Sequence, residues 1–259
     1  MPDLTARIHD WLVGTGFPLE MCAASAFRSV GFEVRQASTY SDPQTDKGRE
    51  IDVLAVDPDI YGFVEISIVI ECKASTSPWV ALVSDDTLVG YNRLHAMGVS
   101  SSAGKSAVFA QVAKTQGKRK PKALELSDRC GYGLRQAFSK DHDPAYAACV
   151  NVLKACAAIA SDRAAAHAPR LAFAFPVLVV DSPIFECELT ENDQLSLKEV
   201  SSTSVLFSSY LPEPVSSCIR IVRSTSIERT ATELKATVDD LRSFLGPEQE
   251  EIIAKWMKS

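Results

Sequence analysis

Phe63-Val64-Glu65-Ile66-Ser67-Ile68-Val69-Ile70-Glu71-Cys72-Lys73 is a strongly β-branched run that closes on two charges. Strand side chains alternate between faces, so Ile66, Ile68, Ile70 and Cys72 share one face, and Val69, Glu71 and Lys73 share the other. A strand this apolar is expected to be central and covered on both sides. Charges at its far end therefore need a reason. Upstream, Glu50–Val56 reads as a second strand, and Asp57-Pro58-Asp59 with Gly62 supplies turn chemistry between the two. A turn there makes paired positions sum to roughly 120–124, which sets Asp52 against residues around 68–72, beside Glu71. Two carboxylates at that spacing repel unless one is protonated or a cation lies between them. Oxygen donors suit a hard divalent cation, and such a cation suits phosphodiester hydrolysis. Lys73 shares the Glu71 face and can orient an attacking water or offset charge on the phosphorane.

Outward from this hairpin, Leu4, Ile8, Trp11 and Leu12 mark a short amphipathic helix over 4–13. A second helix is expected from Pro18 to about Val30, ended by Gly31. Glu20 lies on its apolar stripe with Ala23, Phe27 and Val30. It either reaches the hairpin acids or is a first-turn acid favoured by the helix dipole. Phe32–Ser38 alternates as a strand, and 41–48 is a polar loop. Ala107–Val112 begins a helix, and a basic loop follows with Lys114, Lys118, Arg119, Lys120 and Lys122, which either grips phosphates or is simply solvated. Helices are expected near Gly133–Phe138, placing Tyr132 and Gln136 one turn apart, and from Asp143-Pro144 to about Asp162. Strands follow at Leu171–Val180 and Ile184–Leu189, joined as a hairpin through Asp181-Ser182-Pro183, and at Cys218–Arg223. A long helix over Glu228–Leu245 stops at Gly246, and Pro247 opens a last short one, so C-terminal helices span about 228–258. Trp79 is expected to pack against the sheet end.

This order predicts one α/β domain over 1–259, a central mixed β-sheet flanked by helices. The seven cysteines are dispersed and form no Cys-x-x-Cys pair, and the four histidines are scattered. Reduced thiols, not zinc ligands or a disulfide framework, are expected. No secretory signal and no apolar run of membrane-spanning length are read, so a cytoplasmic protein with no membrane association is expected. A net charge of −6 argues against a surface that clings to nucleic acid everywhere, but leaves room for one local groove.

Glu20, then Asp52, then Glu71-Cys72-Lys73 at the end of an apolar strand resembles the PD-(D/E)-x-K nuclease superfamily, over about residues 17–80. The resemblance implies the restriction-endonuclease-like fold and a Mg²⁺-dependent nuclease, with Mn²⁺ able to substitute. It implies metal ligation by Asp52, Glu71 and the Cys72 carbonyl, assistance to the attacking water from Lys73, and an auxiliary role for Glu20. It also implies nucleic acid as the partner, DNA before RNA, in restriction, repair or defence, with a homodimer or a partner protein compatible. Ile51 stands where the motif has its proline. Two other readings are a binding or scaffold protein that keeps the fold without turnover, and a hydrolase of small phosphorylated molecules.

Overall fold

The computed structural model describes residues 3–139, 143–161, 169–211 and 213–257. It opens with α1 (Leu4–Val13), α2 (Phe17–Ser29), β1 (Glu33–Ser41), β2 (Gly48–Asp57), β3 (Val64–Lys73) and β4 (Trp79–Ser84). Next come α3 (Arg93–Met97), β5 (Val99–Ser100), α4 (Ser102–Lys114), β6 (Cys130–Gln136) and α5 (Pro144–Ile159). The chain closes with β7 (Leu171–Val180), β8 (Ile184–Leu189), β9 (Leu195–Val200), β10 (Ser202–Leu211), β11 (Glu213–Arg223) and α6 (Ile227–Trp256). Among the described residues the strands form one 11-stranded mixed sheet, ordered β1-β2-β3-β7-β11-β10-β6-β4-β8-β9, with β5 on β7. The protein is therefore α/β, as the alternation of patterns predicts.

β3 runs antiparallel to β2 and parallel to β7. Its Ile66, Ile68, Ile70 and Cys72 pack with α2 and α6 residues such as Phe27 and Leu234. Val69, on the other face, packs with Val152 and Cys156 of α5. β7 is buried along its whole length, yet carries Pro176 in its middle, where a ladder donor is lost. β7 pairs with β5 at Phe173 and Ala174 and with β11 from Val177 onward, and Pro176 falls in the gap between them.

The expected β7–β8 hairpin does not form: β8 pairs with β4 and β9 instead. Five steps of the strand order separate β7 from β8, about 24 Å in a flat sheet. The three residues 181–183 reach at most about 14 Å. The sheet must curl, and α5 lies in its trough, packed on β1, β3, β7, β11, β10 and β6.

The helix expected near Gly133–Phe138 is instead β6, so Tyr132 and Gln136 stand on a strand. Its pairing with β4 and β10 overrides the local pattern. Gly131 is required there, because a Cβ would lie 2.8 Å from Val205 Cγ2. The strands β4, β9 and β10 were not legible as such. α5 ends at Ile159, and Asp162, the end expected for it, lies outside the described residues.

α6 continues through Gly246 and Pro247 to Trp256, where two helices were expected. Lys258, the last residue of that expectation, lies outside the described residues. Tertiary contacts beyond the proline hold the helix onto its neighbours. Glu248 accepts from Gln111 at 2.9 Å and Lys114 at 2.7 Å, and Trp256 meets Phe63 edge-on. Buried Asp57 clamps the same helix to the hairpin through Lys235 at 3.1 Å and Arg242. All seven cysteines are free; six are buried, including Trp79's neighbours in the α5-side core, and only Cys22 is exposed. Trp79 is fully buried, as the packing reading required. Among the described residues no helix is long and apolar enough to cross a membrane.

Ile68 is fully buried at the centre of β3. Ile68→Ala should lower unfolding free energy by about 3 kcal/mol, measured by denaturant titration.

Candidate active site

The open end of the β2–β3 hairpin holds the site. Ladder pairing with β3 stops at Val53↔Ile70. The same register continued by one step places Asp52 opposite Glu71, as the turn position implied. β1 pairing is also interrupted there: Gln36↔Val53 and Ser38↔Ile51 pair, but Ala37, at φ +53°, does not meet Asp52. Freed from both ladders, Asp52 uses its side chain instead, and Oδ2 accepts from the Cys72 backbone N–H at 2.7 Å. Its carboxylate is thereby pinned to the acid–x–lysine segment.

Glu71 is 8% exposed. Lys73 Nζ lies 2.6 Å from its Oε1, and Asn151 Nδ2 of α5 donates to the same oxygen at 3.5 Å. Burial, and then the charge of Asp52, push the Glu71 carboxyl upward despite the opposing pull of Lys73. Burial alone would lower the Lys73 pKa, but the Glu71 and Asp52 charges outweigh it and the ammonium is held. Burial and the surrounding acids drive the Cys72 thiol up, so it is no nucleophile.

Asp52 and Glu71 open into one recess of about 200 Å³, completed by Tyr40, Arg49, Glu50 and Asn151. Glu20 does not line it. Its carboxyl in the first turn of α2 is raised by partial burial and then by repulsion from Asp52 and Glu50. It stands within electrostatic reach of the hairpin acids, from the α2 side of the sheet.

Behind the recess lies a group with no counterpart in the sequence reading. Asp42 is buried and pairs with Lys154 Nζ at 3.0 Å and Arg49 Nε at 3.4 Å. Burial alone would raise its pKa, but the Gln44 N–H, Lys154 and Arg49 hold it down at about 2. Arg49 is thereby fixed at the recess while its side chain stays more than half exposed. A signal was available: Asn151 and Lys154, three apart, interrupt an otherwise alanine-rich apolar helix. Tyr40, pushed up to about 12 by burial and then by Asp42 and Glu71, stays a neutral phenol.

Other candidates are drawn elsewhere. In the basic loop, Lys114 is paired with Glu248 and Glu251, and Arg119 lies over Phe244 and bonds Ser243. These two cations serve α6. Gln136 donates to Ser75 Oγ, on the loop after β3, and Tyr132 is exposed.

Among the described residues no three His, Cys, Asp or Glu side chains are close enough to hold a metal ion by themselves. Mg²⁺ does not need such a cage, since it is commonly held by one or two carboxylates, waters and substrate phosphates. Asp52 and Glu71, hard oxygen donors in one recess that repel each other in its absence, fit that pattern. No protein-family model matches the chain, and no curated protein or solved structure is significantly similar to it.

Asp42 supplies a pH signature. Its folded pKa of about 2 lies below its ordinary 3.8, so its stabilising contribution is complete above 3.8 and is lost as pH falls through about 2. Asp42→Asn should therefore lower the melting temperature near neutrality, and the gap to wild type should close on acidification across that window. A gap that is constant with pH would contradict the ion-pair assignment.

Proposed function

We propose that this protein is a divalent-metal-dependent nuclease acting on DNA. One observation carries the reading: Asp52 and Glu71 face a single recess at the end of a buried strand, with Lys73 in contact with Glu71. The proximity of Asp52 to the Glu71-Cys72-Lys73 segment supports the reading that the resemblance suggests.

Asp52 and Glu71, with the Cys72 carbonyl, would hold Mg²⁺, and Glu20 would act from the α2 side. The ion, when bound, supplies Lewis acidity to a phosphoryl oxygen. The remaining work falls to the chain's own groups. The Cys72 N–H fixes one lone pair of Asp52, so the other oxygen is free to face the recess. Asn151 steadies Glu71. The Lys73 ammonium donates to a water directed at phosphorus and offsets developing negative charge. Arg49, held from behind by Asp42, presents its guanidinium to a backbone phosphate, which matches the fork geometry of phosphate recognition. The acidic chain would meet DNA through this local feature and not over its whole surface.

A non-catalytic nucleic-acid-binding or scaffold protein is the second reading. It is favoured by the Lys73–Glu71 contact, which pairs Glu71 without any metal ion.

Linear, circular and single-stranded DNA incubated with Mg²⁺ or Mn²⁺, and with EDTA, tests this. Metal-dependent cutting should fall by about a hundredfold or more in Lys73→Ala and Asp52→Asn. Arg49→Gln should weaken DNA binding and flatten its salt dependence. Cutting that is equal in wild type and in the Lys73 and Asp52 variants would remove the nuclease reading, and metal-independent DNA binding would leave the scaffold.

A further inference from the structure

β6 and β10 pair at one position, Val205↔Gly131. Beyond it the two strands part, and residues 132–135 of one and 206–208 of the other wall an open groove of about 680 Å³. Its sides carry four aromatic rings, those of Tyr91, Tyr132, Tyr146 and Phe207. Tyr132 is 61% exposed and Tyr146 52%. A bulge places Tyr132 there. The β4 register steps from Leu82↔Gly133 straight to Val83↔Gly131, so Tyr132 is an extra residue with no partner on β4. Strands use such bulges to re-aim a side chain. Glycine on either side leaves the ring uncovered by its chain neighbours. Tyr146 meets Phe207 edge-on with ring centroids 5.5 Å apart, which steadies both. Exposed rings gathered along one groove mark a binding surface.

Resting on the nuclease reading of the recess, we infer that the substrate is single-stranded DNA, held by base stacking in this groove and led along α5 to Asp52 and Glu71. In a duplex the bases are stacked on one another, and only an unpaired strand offers their faces to aromatic side chains. Duplex binding draws instead on phosphate contacts with a basic surface. This chain carries 33 acids against 27 lysines and arginines. Arg135, the cation in the groove wall, is itself paired with Asp143 at 3.1 Å. Stacking supplies affinity without an excess of positive charge. α5 joins the groove to the recess. Tyr146 lines the first, and Asn151, which donates to Glu71, lines the second. Five residues of one helix separate them, about 7.5 Å along its axis. A single strand covers that distance in about two stacked nucleotides at about 3.4 Å each. Phe207 of the groove and Tyr40 of the recess pack on the same α5-side core, so the two openings lie on one side of the sheet.

The test is fluorescence anisotropy of a short labelled oligothymidylate with the full chain, in EDTA so that binding is read without cutting. A duplex of the same length and an abasic strand with the same phosphates serve as comparisons. The oligothymidylate should bind more tightly than either. Tyr132→Ala and Tyr146→Ala should each weaken it about tenfold, and Tyr132→Phe, which keeps the stacking face, should bind as wild type does. Tyr132 is exposed, so its variants should melt with the wild type, which separates lost stacking from lost folding. A duplex or abasic strand bound as tightly as the oligothymidylate overturns the proposal, as does Tyr132→Ala binding equal to wild type. Failure of all three nucleic acids to bind overturns it and leaves the groove to a polypeptide. Lys73→Ala should keep this affinity while losing metal-dependent cutting. Stacking-dependent binding by a wild type that cuts nothing overturns the nuclease reading alone, and cutting that is indifferent to Tyr132 and Tyr146 overturns the groove alone.

Discussion

β3 presents branched apolar side chains to both sides, and burying both sides is the demand from which the architecture follows. One side is met by α2 and α6, the other by α5. Neighbouring strands must then pair along it: β7 does so over its full length and β2 over Ile66–Ile70. Meeting the α5 side is the harder task, since one helix must cover strands from β1 to β6. The sheet solves this by curling around α5, which a three-residue β7–β8 connection makes obligatory.

Such burial ends abruptly at Glu71. A carboxylate at 8% exposure is costly unless paired, and Lys73 and Asn151 supply the pairing from opposite sides. Asp52, set loose where the β3 ladder stops and the β1 ladder skips a position, fastens to the Cys72 N–H and adds a second negative charge to the same recess. The arrangement concentrates more negative charge than structural needs explain. The buried Asp42–Lys154 pair carries a desolvation cost, and the Gln44 N–H and Arg49 add the partners that keep Asp42 ionised. Holding Arg49 at the mouth of an acidic recess gives that pair a purpose.

Charge is distributed differently over the rest of the molecule. Away from the recess, three cations dock α6: Lys235 and Arg242 on Asp57, and Lys114 on Glu248 and Glu251. The long helix is thus latched to the hairpin at its middle and to α4 near its end. That latching lets it pass through Gly246 and Pro247, which would stop an isolated helix.

From sequence alone, β1 to β3, α2, β7, β8 and the Asp52–Glu71–Lys73 neighbourhood could be read. Their signals are local: period-two runs, a proline-started and glycine-ended helix, and a turn that sets register within a few residues. Three matters were decided only in three dimensions. Cys130–Gln136 became a strand because β4 and β10 pair with it, and pairing partners are invisible to a local window. β8 left β7 because the strand it joins, β4, lies more than a hundred residues earlier. Arg49, Asn151 and the Asp42–Lys154 pair join the site because β1, β2 and α5 converge there, and no spacing in the chain encodes that convergence. Short-range pattern determined which segments could be strands and where the acids would stand on them. Long-range packing determined which segments met, and with them the full chemistry of the recess.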